Sequence, residues 1–399
     1  MKNLSALLFS CSFGAVAVRA QSTPSYRDKL LSFHKSIVEI PSISGTEPAV
    51  GNFLIDYLTE QGLATERQFL PSSNRFNVLA WPQPRASNRS RIVVTTHMDV
   101  VPPYFSYSRS GPEPPTAETV IAGRGTSDAK GSVAAQTLAV LELLAAGSVS
   151  GDDVMLVFVV GEEVNGDGMI HFSNVMAQRG TRPNVAIFGE PTNSTLACGH
   201  KGGMACNVFA KGRSGHSGYP ASGKSANEVL MRALVKVIDA DLGNSEVYGN
   251  TTVNVGLMAG GVAPNVIPAA ANASLAIRVA LGPQANGHLI VRDRLQEVLT
   301  SVDAEAFTLE CPFGFGVVET NCDVEGFETD IMAYGTDIPR LQGNHTRYLY
   351  GPGDILRAHT ADESITVGEL ESAVEGYKKL ILHAIEPAKS KKPKKPKRC

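Results

Sequence analysis

The sequence predicts an α/β protein: a main domain with a mainly parallel central sheet, interrupted by an inserted ferredoxin-like βαββαβ unit. Two observations carry that prediction. First, three short apolar, β-rich runs (residues 91–96, 154–160 and 185–188) alternate with helical patterns at 132–144 and 171–178. Uninterrupted apolar runs of this length suit strands buried on both faces, and strand–helix alternation is the pattern of a parallel sheet. Second, the order changes from residue 204. Strand 205–210, helix 226–238, strands 252–258 and 271–279, helix 288–299 and strand 306–309 follow in turn. That order is the split βαβ arrangement. After Gly314 the chain returns to the first unit and ends in a helix over 367–385. The main domain therefore comprises residues 21–203 and 313–386, and the insertion residues 204–312. A chain of 399 residues exceeds what one compact core usually holds, in keeping with two units.

Hydrophobic residues make up 43% and charged residues 19%, which excludes global disorder. The net charge of −3 is unevenly spread. Residues 387–399 form a basic tail with seven Lys or Arg and no acid, and without those cations the rest of the chain stands near −10. So acidic a body is a poor nucleic-acid binder. Three prolines and dense like charge oppose helix in the tail, which reads as a solvated, disordered extension or as a tether to an anionic surface. Residues 1–20 read as a signal peptide. Lys2 precedes an apolar stretch over 4–18, and Val18-Arg19-Ala20 fits a cleavage site before Gln21. That stretch is too short to span a bilayer, so no stable membrane insertion is expected. Asn-x-Ser/Thr sequons start at Asn88, Asn193, Asn250, Asn272 and Asn344. With the leader they suit a secreted, extracellular glycoprotein.

Six cysteines are present, and Cys11 leaves with the leader. Cys198 and Cys206 flank the turn-like segment GHKGG, while Cys311 and Cys322 are close in sequence. These two local pairs are the expected bridges, although four cysteines allow three connectivities. Cys399 is left over in the tail. No CxxC pair exists, which argues against a cysteine zinc site.

The apolar strands run directly into chemistry. The first ends in His97-Met98-Asp99, the second in Gly161-Glu162-Glu163 and the third in Gly189-Glu190-Pro191. Parallel sheets bind ligands beyond the carboxyl ends of their strands, so these groups should gather on one edge. Asp128 lies in the glycine-rich segment GRGTSDAKGS before a helix, and His359 lies in RAHTADES. Several carboxylates in one cleft would repel one another and raise their own pKa values. A pair of divalent cations removes the conflict, and imidazole with carboxylate ligation suits Zn²⁺. Singly, each group has a plainer explanation, as a cap, a turn residue or an exposed loop acid. Their joint placement at strand ends carries the inference.

The stretches THMDVVP, GRGTSDAKG, VVGEEVNGDGM, GEPT, GRSGHSGYP and AHTADESI occur in that order. In this the chain resembles the M20 metallopeptidases, the group of glutamate carboxypeptidase, aminoacylase-1 and acetylornithine deacetylase. The resemblance implies a zinc-binding catalytic domain interrupted by a lid or dimerisation domain, with two Zn²⁺ per subunit. By motif, His97 and Glu190 would hold one zinc, Glu163 and His359 the other, and Asp128 would bridge. Asp99 would orient His97, and Glu162 would be the general base. His216 would donate a hydrogen bond to the tetrahedral oxyanion, in its own or a partner's site; a surface histidine is the alternative. Arg278 would clamp a substrate carboxylate and Asn265 would touch substrate, against plainer roles in a surface ion pair and a turn. Gly351 and Gly353 resemble a glycine loop lining the substrate pocket, and turn formation explains them equally well.

The expected reaction is cleavage of an amide bond next to a free carboxylate. A secreted carboxypeptidase acting on small peptides is the leading expectation. An N-acyl-amino-acid deacylase is the second, since glutamate at 190 is more typical of the deacylase-like branch. An inactive binding protein on the same scaffold is the third, opposed by the intact set of site residues. A homodimer through the lid is also an expectation.

Overall fold

The computed structural model describes residues 23–86 and 90–386. The leader (1–20), the Asn88 sequon and the basic tail (387–399) lie outside the described residues.

Among the described residues the central sheet has nine strands. Its middle consists of Val154–Val159, Ile92–His97, Val185–Phe188 and Thr346–Leu349, side by side and parallel. Antiparallel strands extend both sides, Phe76–Trp81 and Ala64–Phe69 on one and Leu196–His200 on the other. The apolar runs are uninterrupted because both faces are covered. Val94, Leu156 and Ile187 pack into one core layer, while Val93, Val157 and Phe188 pack into another. Such alternation follows from the two-residue period of a strand. Helices α1 (Arg27–Glu39), α2 (Pro48–Glu60), α3 (Lys130–Ala145) and α7 (Val367–Ile385) supply the first layer, and α4 (Asp167–Gln178) supplies the second. α7 starts with a capping box, in which Thr366 and Glu369 satisfy each other's backbone N–H groups.

The insertion has the expected order of elements. Its four antiparallel strands lie in the order Thr252–Gly260, Ala270–Val279, Gly202–Lys211, Phe307–Phe315. Helices α5 (Ala226–Asp239) and α6 (Gly287–Val302) cover one face. The last strand runs well beyond 309, to Phe315, because a bulge between Glu310 and Phe313 absorbs Pro312. Alternation leaves Arg278, Gly203 and Phe315 in register on the face without helices.

The expected local cysteine pairs do not form. Cys198 bonds Cys322 and Cys206 bonds Cys311. The segment GHKGG is not a reversal: the chain passes from Leu196–His200 straight into Gly202–Lys211, which carries Cys198 and Cys206 apart. Both bridges instead join the segment entering the insertion to the segment leaving it. No described helix is long and apolar enough to cross a membrane.

Candidate metal centre

The three neighbouring strands Val154–Val159, Ile92–His97 and Val185–Phe188 end on the same edge. His97 is the last residue of its strand and is 1% exposed. Its Nδ1 donates to the Asp99 carbonyl at 3.0 Å. Nε2 therefore faces Asp128 Oδ1 at 3.1 Å and Glu190 Oε2 at 3.8 Å. His359 repeats the arrangement, with Nε2 3.2 Å from Asp128 Oδ2 and 3.0 Å from Glu163 Oε2. Two donor sets result, His97–Asp128–Glu190 and Asp128–Glu163–His359, which share Asp128 through its two different oxygens. Lone pairs facing lone pairs need a proton or a cation between them, so the donor chemistry fits metal ions.

The electrostatics agree. Burial, followed by the charge of Asp128, pushes Glu163 up to about 7. Burial likewise raises Glu190 to about 7. Hydrogen bonds from His359 and His97 outweigh burial at Asp128 and hold it well below the usual carboxylate range. His359 is raised to about 10 by Asp128 and Glu163. Burial would lower His97, but its carboxylate neighbours raise it well above its ordinary value. Glu162 belongs to neither donor set. Burial and the charges of Glu190 and Asp337 push it well above the usual range, as expected of a group that carries protons.

Asp99 faces His97 through both its backbone and its side chain. Its backbone carbonyl accepts the hydrogen bond from His97 Nδ1, and its carboxylate stands 3.6 Å from the same nitrogen. That carboxylate accepts from Ser44 Oγ at 2.7 Å and from the backbone N–H groups of Glu162 and Glu163 at 3.2 and 3.3 Å. The turn after the strand end is short, so a buried acceptor must satisfy its amides. Asp99 thereby ties the paired glutamates to the histidine strand.

Glu363, not singled out from the sequence, does the same for Asp128. It is fully buried. Its Oε1 accepts from the N–H groups of Gly125, Ser127 and Asp128 at 2.9, 3.1 and 3.1 Å, and its Oε2 from Arg124 at 2.6 Å. His359 itself adopts φ of 64°, a conformation that side chains beyond glycine seldom take and that concentrates at functional sites.

Between this edge and the insertion lies a cavity of about 340 Å³. Asp128, Glu162, Glu163, Glu190 and His359 form its floor, and Arg278 with Phe313 and Phe315 its roof. Arg278 makes no ion pair among the described residues. His216 and Asn265 are not in this cavity. They meet each other in exposed loops of the insertion, where the Ser217 N–H donates to the Asn265 carbonyl and His216 bridges to Val266. Gly351 and Gly353 do not line the cavity either. A Cβ on Gly351 would collide with the Glu190 carbonyl and one on Gly353 with Ser127, so they permit close packing behind the floor. Asp337, Arg340 and Tyr334 were also missed in the sequence; the acid–arginine pair in TDIPR was the available signal.

Residues 198–305 match the peptidase dimerisation domain of the M20 family. A peptidase M20 domain-containing protein of Sordaria macrospora is 53% identical, over 92% of this chain and 87% of its own length. The chain belongs to the M20 peptidase family. A probable carboxypeptidase of Paracoccidioides brasiliensis is 42% identical to this M20 peptidase, over 90% of this chain and 86% of its own. The crystal structure of an M20 family metallo-carboxypeptidase from Sulfolobus solfataricus superposes with a TM-score of 0.69 at 15% identity, covering 90% of this chain and 99% of that one. That likeness establishes a shared fold, and the six-motif resemblance extends over nearly the whole length.

Proposed function

We propose that this M20 peptidase is a secreted two-zinc carboxypeptidase that releases C-terminal residues from small peptides. The observation carrying the proposal is the division of Asp128 between two histidines. His97, Asp128 and Glu190 would hold one ion, and Asp128, Glu163 and His359 the other. When bound, the ions supply Lewis acidity, lowering the pKa of water and polarising the scissile carbonyl. Glu162 takes a proton from the attacking water and passes it to the leaving amine. Its raised pKa suits the second duty. Asp99 keeps Glu162 and Glu163 in place through their amides. Arg278, without an ion-pair partner in the roof, receives the terminal carboxylate.

His216 acts from a second copy on this reading. The Gly218 N–H donates to its Nδ1 at 3.1 Å, which leaves Nε2–H as an exposed donor for an oxyanion. A homodimer through the insertion fits its free edge strand Thr252–Gly260, where Leu257 is 71% exposed. Met231, Val235 and Ile238 on α5 are exposed apolar residues as well. Secretion is supported by the two disulfides and by the exposure of Asn193, Asn250, Asn272 and Asn344.

Zinc-loaded protein incubated with N-blocked dipeptides, free dipeptides and N-acetyl amino acids, followed by mass spectrometry, tests the proposal. Release of C-terminal residues from blocked dipeptides, abolished in Glu162→Gln, is the expected result. Cleavage confined to N-acetyl amino acids would make the protein a deacylase instead.

A further inference from the structure

The cavity holds a second guanidinium that the proposed reaction does not use. Arg340 ends the short turn Ile338–Arg340 and lines the same cavity as Arg278. Its guanidinium carbon lies 4.6 Å above the ring of Phe313. Its other face packs against Gly166, where a Cβ would collide with the guanidinium. Nε is 3.3 Å from Asp337 Oδ1. The side chain is only 14% exposed, yet its terminal nitrogens form no hydrogen bond among the described residues.

An arginine fixed on both faces and paired only through Nε keeps its outer fork for something else. The unengaged nitrogens belong to a side chain that lines the cavity, where a ligand can reach them. The planar fork matches a carboxylate with two parallel bonds, and little rotamer freedom is left to lose. Phe313 and Phe315 stand between the two arginines, with ring centroids 5.5 Å apart, and the Phe315 ring shares the space above Gly203 with Arg278. The roof thus presents two cationic forks separated by an apolar bridge, and those rings lower the local dielectric and strengthen each ion pair.

We propose that Arg340 binds a second carboxylate of the substrate, so that this peptidase prefers peptides with an acidic side chain next to the scissile bond. The proposal rests on the carboxypeptidase reading, in which Arg278 holds the terminal carboxylate. Arg340 is then the residue that determines selectivity between an acid and its amide.

The test uses N-blocked dipeptides with Glu, Gln or Leu at either position and the zinc-loaded full chain. The kcat/KM for Glu is expected to exceed that for Gln by on the order of 100-fold at one of the two positions. Arg340→Met, which retains apolar contact with Phe313, should bring Glu and Gln to within about threefold of each other while leaving the Leu peptides nearly unchanged. The double variant Arg340→Met/Asp337→Asn removes both members of the pair and separates this effect from instability caused by stranding Asp337. Equal wild-type rates for Glu and Gln, or a uniform loss on all substrates in both variants, would overturn the proposal. The same peptides are titrated by calorimetry into zinc-loaded Glu162→Gln. There a Glu-over-Gln affinity ratio that vanishes with Arg340→Met supports the proposal even if no peptide is cleaved, and a ratio of one overturns it. Absence of cleavage in the wild type is a failure of the carboxypeptidase reading alone.

Discussion

On the cavity floor, carboxylates share two histidines at 3.0 to 3.8 Å, and the loops that carry Asp128 and Glu163 are each tied in place by a buried acid. On the roof, Arg278 and Arg340 stand apart with aromatic rings between them, held by packing and by one ion pair. The floor is a cooperative unit whose members lose meaning singly. The roof is a set of separable contacts on two strand ends and a turn. Chemistry and selectivity should therefore respond differently to single substitutions, and the contrast can be broken from either side.

The largest effect is expected on the floor. Glu162→Gln should lower kcat by roughly 10³-fold, since the amide neither accepts nor delivers a proton, while bound metal stays unchanged. Steady-state kinetics beside metal analysis of the same sample checks both halves. Substantial residual activity would place the base elsewhere. Next comes Glu363→Gln. Its amide nitrogen would oppose either Arg124 or the three amides of the Asp128 loop. Zinc affinity should fall about 10- to 100-fold, measured by competition with a chelating dye. Unchanged affinity would show that the loop holds its shape alone, and the floor would lose its cooperative character.

Much of the floor could be read in the sequence because it depends on a rule that acts along the chain. Strands buried on both faces appear as apolar runs, and whatever follows them stands on the sheet edge, so His97, Glu163 and Glu190 could be placed together before any contact was known. Glu363 could not, although it lies in the same short segment as His359. Its hold on the Asp128 loop runs through backbone amides more than 230 residues away, and amides carry no sequence signature. The roof was harder. Arg278 emerged by resemblance, whereas Arg340 and Asp337 have no periodic pattern, and the approach of Phe313 depends on a bulge at Pro312. The cysteines show the opposite error: closeness in sequence suggested local pairs, but the chain continues through GHKGG without turning. Helices α1 and α2, with buried Leu30, Phe33, Ile37, Leu54 and Leu58, carried a readable helical spacing that the strand-first reading passed over.

On the roof, Arg278→Met should raise KM by about 10- to 50-fold and change kcat less, because the carboxylate is held in the ground and transition states alike. A fall in kcat of the same size as the Glu162→Gln effect would mean that the clamp also sets the position of the scissile carbonyl. The separation between floor and roof would then fail.

The smallest effect concerns stability, and it sharpens the same contrast, because zinc should alter the pH dependence of the floor groups alone. In the metal-free protein Glu163, Glu190 and Asp337 are pushed up to about 7, in each case mainly by burial. The unfolded chain returns them to the ordinary range near 4. Between those values the folded state holds protons that the unfolded state has released, so stability falls as pH rises from about 4 toward 7 and levels off within about a unit above 7. His359, raised to about 10, has the same sign: its contribution is present below 6.5 and lost as pH climbs toward 10. His34 and His200, which burial drives down to about 4, act in the opposite direction but only below 6.5. From pH 6.5 to 8 the site groups act together, opposed by Lys130, which burial lowers to about 7 and which therefore adds stability as pH rises above 7. Each buried carboxylate contributes at most on the order of 1.4 kcal/mol per pH unit to the loss. Bound zinc would take the place of the protons on Glu163, Glu190 and His359, though not of the one on Asp337, so the loaded protein should show a flatter profile. Urea unfolding at pH 6.5 and 8, with and without zinc, measures the difference. Parallel profiles would mean that the acids are neutralised by something other than a cation, and the floor would then have to be explained as a proton-sharing cluster.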